Sequence, residues 1–132
     1  NLAISKTNGY VEMFYQKKLS QLLTIKKEIA KNVFQGKIKN KKILSKTLTE
    51  VLNKSKYYKK KIDFLDIDAE GADLDVLESL DFSMYSPELI CVEYIGKDKN
   101  GSEIFKFLVS RGYKNIWSGV FSHLFKKNFD SL

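Results

Sequence analysis

Carboxylates at alternate positions form the densest chemical signal of the sequence. Asp66, Asp68 and Glu70 lie within the segment 65–71, directly before Gly71, where an apolar stretch ends and a helical pattern begins. In open α/β sheets, ligands bind beyond the carboxyl ends of the strands, so acids at such a junction are placed to meet a ligand. An acid before a helix also caps its N-terminus, but one cap needs only one acid. The cluster therefore predicts a functional role for Asp68, Glu70 or both.

Two metal-binding patterns can be compared with this segment. The acids and Gly71 match the first, third, fifth and sixth positions of an EF-hand calcium loop, but Leu77 stands at position twelve, where that loop has a bidentate Glu. The flanking segment also has the pattern of a strand rather than a helix, which excludes a calcium loop. Asp66 and Asp68 also form an Asp-x-Asp pair after an apolar strand, as in glycosyltransferases that hold a divalent metal against a nucleotide-sugar diphosphate. This second interpretation stays open.

The elements around the acids follow from the hydrophobic pattern of the second half. They are predicted as a strand at 62–67, a helix at 72–80, a strand at 89–92, a helix at 102–110, and strands around 113–117 and 120–125. The run 89–92 is continuously apolar, which predicts a central strand covered on both faces and followed by Glu93. The aromatic residues Tyr113, Trp117 and Phe121 are expected in the core. This order indicates an α/β sheet, parallel at first and ending in an antiparallel hairpin.

The first half is less regular. Residues 10–15 are predicted as a strand, and apolar residues from Leu19 to Val33 recur at helical spacing, which predicts an amphipathic helix. Residues 35–42 have the composition of a basic, glycine-containing loop. Thr47 and Glu50 have the spacing of a capping box, so a short helix is expected to begin there.

Composition limits the class of protein. With 132 residues, of which 43% are hydrophobic and 13% aromatic, the chain suits a single folded domain, and no apolar run reaches the length of a membrane span. The chain has one cysteine and one histidine, which excludes an internal disulfide and argues against a zinc site; we expect no bound metal. A free cysteine and the lack of a visible signal peptide favour a cytoplasmic location.

Charge divides the chain into two parts. Residues 1–61 hold 16 Lys and 3 acids, a net of +13, whereas residues 62–132 have a net of −6. A basic segment can bind nucleic acid through its phosphates. All the basic residues except Arg111 are lysines, however, and lysine lacks the planar fork that reads phosphate and guanine bidentately. Solvated surface is the favoured interpretation, and a nucleic-acid-binding module is kept as the non-enzymatic alternative.

Read together, these segments resemble the C-terminal half of an FkbM-family S-adenosylmethionine-dependent methyltransferase. The family signature is a strand ending Ile-Asp-x-Glu-Gly, which stands here at 67–71 and is followed by Asp73 and by Val76-Leu77. Downstream, the family has a proline, a strand ending in Glu, a helix and Gly-Tyr, which correspond to Pro87, Glu93, 102–110 and Gly112-Tyr113. Upstream, Ala3-Ile4-Ser5 is similar to the family's Ala-x-Ser, and Thr47-Leu48 to its Thr-Leu.

The resemblance implies a partial class I (Rossmann-like) methyltransferase sheet, mostly parallel, with a C-terminal antiparallel hairpin. It implies S-adenosylmethionine as cofactor, with Ala3 and Ile4 on the adenine side, and O-methylation of a carbohydrate or other hydroxylated metabolite. Asp68 is the first candidate for the general base, Glu70 is the second, and Glu93 is expected to contact the acceptor.

Two departures from the family pattern bear on these expectations. Many members have Lys where this chain has Asp66. The Gly-rich turn after the family's first strand and the acid ending its second are absent, so we expect the chain to be an inactive fragment. The strand 62–67 would then have an unpaired edge, which predicts self-association.

Overall fold

The computed structural model of the chain describes residues 2–16, 23–94 and 102–128. The described elements are, in chain order, β1 (Leu2–Ile4), β2 (Gly9–Tyr15), α1 (Lys27–Val33), β3 (Lys39–Lys46), α2 (Leu48–Asn53), β4 (Phe64–Ile67), α3 (Asp73–Glu78), β5 (Leu89–Glu93), α4 (Glu103–Val109), β6 (Tyr113–Ser118) and β7 (Ser122–Lys127). They form an N-terminal sheet of order β1-β3-β2 and a C-terminal sheet of order β4-β5-β7-β6.

The central strand of the N-terminal sheet is β3, which pairs in parallel with β1 and antiparallel with β2. The expected loop at 35–42 is therefore wrong in its second half, because the strand begins at Lys39. Only Ile43 and Ser45 of β3 are buried, so burial contributes little to this strand. Seven paired positions with β2 satisfy its backbone instead.

Helix α1 is shorter than the amphipathic pattern predicts. The expectation of a helix from Leu19 is wrong at Thr24, which forms an isolated antiparallel bridge with Phe14 through two backbone hydrogen bonds of 2.8 and 3.3 Å. Residues 17–22 lie outside the described part of the chain. The helix buries Ala30 against Phe14 and Phe34, which form a small second core under the N-terminal sheet.

The C-terminal sheet begins with a parallel pair, β4 and β5, and continues through antiparallel pairs to β7 and β6. The predicted C-terminal hairpin is confirmed. The prediction of one mostly parallel sheet is wrong, since the chain forms two mixed sheets. One reason is that β7 inserts between β5 and β6, so that both of its edges pair antiparallel.

The main core lies between one face of the C-terminal sheet and helices α3 and α4. Ile90 and Val92 of β5 are fully buried there, but the alternate residues of the strand are only half-buried. The prediction that β5 is covered on both faces is therefore wrong. Tyr113 packs in this core as expected, whereas Trp117 and Phe121 are more than half exposed.

An ion-pair cluster connects the two sheets. The carboxylate of Asp75 on α3 lies 2.5 Å from the ammonium group of Lys26 and 3.5 Å from that of Lys6, which also pairs with Glu78. Lys6 follows β1 and Lys26 precedes α1, so these contacts hold the N-terminal segments against α3. Among the described residues, no helix is long and apolar enough to cross a membrane.

Candidate functional site

The site is built on the loop that connects β4 to α3, here called the acidic loop (residues 68–72). Asp68 follows the last residue of β4 and is exposed, whereas Glu70 is half-buried. The backbone of Glu70 has a φ of 47°, and that of Gly71 a φ of 88°. Two consecutive left-handed residues turn the chain sharply away from the strand. A non-glycine residue in this region is costly, so other contacts must hold the turn.

Asp73 provides the first of these contacts. Its buried carboxylate accepts hydrogen bonds from the backbone N–H of Ala69, at 3.2 Å, and of Gly71, at 3.1 Å. Burial raises the pKa of this carboxyl group, and the backbone N–H donors act in the opposite direction. Asp73 therefore stabilises the conformation of the acidic loop. Its two carboxylate oxygens bond to backbone N–H groups of the loop rather than to a ligand.

Segment 23–26 provides the second contact. The hydroxyl group of Thr24 donates a hydrogen bond of 2.9 Å to the carbonyl oxygen of Glu70 and accepts one of 3.1 Å from the N–H of Lys26. Thr24 is itself buried. A residue 46 positions earlier in the chain therefore holds the strained peptide of Glu70.

The third contact of the acidic loop comes from helix α1, whose Ile29 side chain lies close to Gly71. A Cβ atom built at Gly71 would lie 2.1 Å from Cδ1 of Ile29. Any side chain here would require the end of the Ile29 side chain to shift, and the left-handed backbone independently favours glycine. The Gly of the signature segment therefore suits both the turn and the close approach of Ile29.

The charged groups that act on the pKa of Glu70 show which acidic side chains lie near it. Burial is the largest cause of its raised pKa, and the negative charges of Asp68, Glu93 and Asp73 raise it further. Glu93 ends β5, the strand next to β4, and accepts a hydrogen bond of 3.3 Å from the hydroxyl group of Ser122. The predicted site residues Asp68, Glu70 and Glu93 therefore share one negatively charged region at the carboxyl ends of two parallel strands.

The predicted cofactor residues lie beside the acidic loop. Ala3 and Ile4 line a groove of about 180 Å³ together with Ala69 and Ala72 of the loop. The remaining lining residues are Leu2, Met13, Leu23, Thr24, Ile25 and Ile43. The lining is almost entirely apolar, which fits the face of a flat heterocycle better than a charged group. The acidic loop thus lines the apolar groove and also carries acids of the negatively charged region.

The Asp-x-Asp interpretation gains no geometric support. Asp66 lies on β4 opposite Cys91 of β5, and Asp68 lies beyond the strand end. Within the described ranges, no group of three or more His, Cys, Asp or Glu side chains is arranged to hold a metal ion.

His123 belongs to the core rather than to the acidic region. It is buried, and its ring stacks on that of Tyr94 with centroids 3.8 Å apart and planes 17° from parallel. Of the two non-catalytic roles that its position on an alternating strand favours, packed or exposed at an edge, the structure has the packed one.

Sequence reasoning did not find Thr24, Met13 or Ile43. Thr24 contacts the loop through a single hydrogen bond across 46 residues, and no local pattern marks such a pair. Met13 and Ile43 reach the groove because β2 pairs with β3 in the register Val11 to Ile43. That register depends on a strand that the sequence pattern did not reveal.

Comparison with known proteins identifies the family of the chain. The family described as methyltransferase FkbM domain matches residues 1–114, a range that includes the acidic loop, Glu93 and the apolar groove. No curated protein and no solved structure matches the chain significantly. Because the match covers most of the chain, the chain belongs to the FkbM methyltransferase family.

Proposed function

We propose that this chain takes part in the transfer of a methyl group from S-adenosylmethionine to a hydroxyl oxygen of a carbohydrate or other hydroxylated metabolite. The observation that carries the proposal is the family match over a segment whose acids converge beyond the carboxyl end of β4. Ligands bind at that end of open α/β sheets. The reaction is placed in the cytoplasm, where Cys91 stays reduced.

On the cofactor side, the apolar groove holds the adenine ring. Ala3 and Ile4 contribute to one wall, and Ala69 and Ala72 of the acidic loop to another. The small side chains of the three alanines leave room for a flat ring between β1 and the loop. When bound, S-adenosylmethionine supplies an electrophilic methyl group on a positively charged sulfur. The acids beyond the loop favour a positive charge at that point.

On the acceptor side, Asp68 is the proposed general base. A hydroxyl group is a weak nucleophile until it loses its proton, and a positioned carboxylate can accept that proton. Asp68 is exposed to an incoming acceptor, as this role requires. The Asp68 carboxylate would accept the hydroxyl proton as the acceptor oxygen takes up the methyl group that the bound cofactor would supply, with the sulfur leaving as a neutral thioether. Glu70, with its raised pKa, is the alternative base, and Glu93 orients the acceptor.

The chain by itself supplies only part of a cofactor site. None of its glycines before Gly71 forms a Gly-rich turn after a strand, and no charged side chain among the described residues lines the groove for an amino-acid group. We therefore propose that methyl transfer needs protein residues in addition to 1–132.

The test is a methyl-transfer assay with radiolabelled S-adenosylmethionine and a panel of neutral sugars and polyols. It is run with the chain and with the longest gene product that contains it, each with an Asp68→Asn control. We expect product with the longer protein and loss of product in its control. Activity that instead requires a nucleotide-sugar and a divalent cation would contradict the proposal and favour a glycosyltransferase.

A further inference from the structure

The segment between α2 and β4 carries a dense positive charge. Its residues 54–61, here called the Lys-Tyr loop, contain five lysines, two tyrosines and no acid. Every residue of this loop except Ser55 is exposed. A run of lysines is ordinarily solvated surface, but aromatic side chains exposed among the lysines are characteristic of surfaces that meet a large anionic partner.

Hydrogen bonds fix the backbone of the Lys-Tyr loop. The N–H of Tyr58 donates to the carbonyl oxygen of Ser55 at 3.2 Å. The buried side chain of Tyr85 donates a hydrogen bond of 2.7 Å to Asn53 and accepts one of 3.3 Å from the N–H of Lys59. The loop is thus attached to a buried side chain of the C-terminal half, and an ordered backbone presents its exposed rings.

The two tyrosines of the loop lie beside its cations. Tyr57 and Tyr58 are each 51% exposed. The ammonium group of Lys56 lies 5.1 Å from the ring centroid of Tyr57, and that of Lys59 lies 5.3 Å from the ring centroid of Tyr58. A tyrosine side chain has an apolar ring and a polar tip, so it suits a boundary between apolar material and water.

Three of the five positive charges are not matched by acids of the protein. The outermost lysines of the loop, Lys54 and Lys61, form ion pairs with acidic side chains. The lysines between them, Lys56, Lys59 and Lys60, form no ion pair within the described part of the chain. These three ammonium groups can therefore bind an external anion without breaking a contact to a carboxylate.

The Lys-Tyr loop and the acidic loop lie at opposite ends of β4. The first precedes the strand, whereas the second follows its last residue. Four strand residues span about 13 Å. An anionic surface attracts the basic end and repels the acidic end, so a molecule bound through the Lys-Tyr loop turns its acidic loop away from that surface.

Nucleic acid is the less suitable of the large anionic partners. Proteins bind single strands by stacking bases on open aromatic faces, but the ammonium groups of Lys56 and Lys59 lie over the tyrosine rings of this loop. The loop also has no arginine, the residue that contacts phosphate and guanine bidentately. At a bilayer surface, in contrast, lysines contact lipid phosphates while tyrosine rings lie at the level of the headgroups.

We propose that the Lys-Tyr loop binds the surface of a membrane that contains anionic phospholipids. Lys56, Lys59 and Lys60 contact the headgroup phosphates, and Tyr57 and Tyr58 lie among the headgroups. The inference does not depend on the proposed function, because it uses only the charges, rings and backbone of the loop. Each lysine near an anionic surface strengthens binding about five-fold, so three lysines should favour anionic over neutral vesicles by on the order of 100-fold.

The test is co-sedimentation of the chain with vesicles of phosphatidylcholine alone or with about 30% phosphatidylglycerol, at about 0.1 M salt. We expect binding to the anionic vesicles only. Lys56→Glu with Lys60→Glu should weaken it at least about 25-fold, and this variant leaves the left-handed backbone of Lys59 unchanged. Lys37→Glu with Lys39→Glu is the matched control, because it changes the net charge equally in the other sheet and should keep most of the binding.

A second pair of variants tests the tyrosines. Tyr57→Ser should weaken binding to anionic vesicles about three-fold or more, whereas Tyr10→Ser should not, although Tyr10 is 66% exposed and also lies beside a lysine. All variants are checked for folding by circular dichroism. Three outcomes would overturn the proposal: no binding of the unmodified chain, equal losses in a variant and its control, or release from the vesicles by an equal phosphate concentration of poly(U) RNA, which would assign the loop to nucleic acid.

Discussion

Asp68 and Glu70 stand two positions apart on the acidic loop, yet their environments differ. Asp68 is exposed, whereas Glu70 is half-buried, and its pKa is raised. In the proposed reaction, Asp68→Asn should lower turnover at least tenfold, because an amide cannot accept the acceptor proton. Cofactor affinity should change by no more than about three-fold, since Asp68 does not line the groove. Turnover and cofactor binding are measured on the longest active gene product.

The control for this variant is Asp66→Asn, which removes an equally exposed carboxylate two residues earlier. It should retain turnover within about two-fold of the unmodified protein. Equal losses in the two variants would indicate a general charge effect and remove Asp68 from the role of base. Glu70→Gln is measured in parallel, because the two carboxylates can share the proton.

Glu70 also gives a prediction for stability against pH. Its folded-state pKa lies above the unfolded value, so between these two values the folded chain binds more protons and stability falls as pH rises. Above both values, where both states are ionised, the folded chain bears the full cost of the charge. Glu70→Gln removes that cost and should raise the thermal midpoint at pH 7. The gain should disappear as pH falls through about 4, the ordinary range for glutamate.

Thermal unfolding followed by circular dichroism at several pH values measures this effect. Glu12→Gln on β2 serves as the control, because Glu12 is exposed and belongs to the other sheet. It should leave the midpoint nearly unchanged over the same range. A lower midpoint for Glu70→Gln at pH 7 would mean that the Glu70 carboxylate makes a stabilising contact instead.

At the scale of the elements, α1 and the acidic loop depend on each other through Gly71. Gly71→Ala should destabilise the chain by about 2–4 kcal/mol, because it adds left-handed backbone strain to a clash with Ile29. Gly36→Ala is a matched control: Gly36 has a φ of 89°, but a Cβ there meets open space. That variant should cost only about 1 kcal/mol. Urea denaturation gives both values.

The clash can be tested separately from the strain. Ile29→Val removes the Cδ1 atom that a Cβ at Gly71 would meet. Combined with Gly71→Ala, it should recover part of the lost stability, which a double-mutant cycle reports as a coupling energy of about 1 kcal/mol. Strict additivity would show that α1 does not pack on the loop in this way.

Elements with strong local signals were predictable from the sequence. Thr47 accepts a hydrogen bond of 3.2 Å from the N–H of Glu50, so α2 begins where its spacing predicts. The capping box is only half formed, because the N–H of Thr47 bonds to Asn8 instead of to the Glu50 side chain. The acidic loop was found because its acids follow an apolar strand. The strand β3 was missed because lysines occupy four of its eight positions and only two of its residues are buried. Backbone pairing with β1 and β2 determines that strand, and a single sequence does not show which strands will pair.

At the scale of the whole molecule, the division into a basic and an acidic half corresponds to contacts between the two halves. The basic N-terminal half contributes one wall of the apolar groove and the ion pairs of Lys6 and Lys26 with Asp75. The acidic half contributes the acidic loop. Attraction between the halves therefore acts across the boundary at which the groove lies. Lys6 and Lys26 thus face acids of the other half rather than an external partner.

The groove predicts how the chain by itself recognises nucleosides. Within the described part of the chain, its lining is apolar and offers no charged side chain for the amino and carboxylate groups of S-adenosylmethionine. Adenosine and S-adenosylmethionine should therefore bind residues 1–132 with similar, weak affinity, with dissociation constants above about 100 µM by calorimetry. Ala3→Leu fills the groove and should weaken both, whereas Ala3→Ser keeps its size and should change either by less than about three-fold. Micromolar binding of S-adenosylmethionine, with adenosine much weaker, would show that the chain already holds the amino-acid end of the cofactor and that the proposal of an incomplete site is wrong.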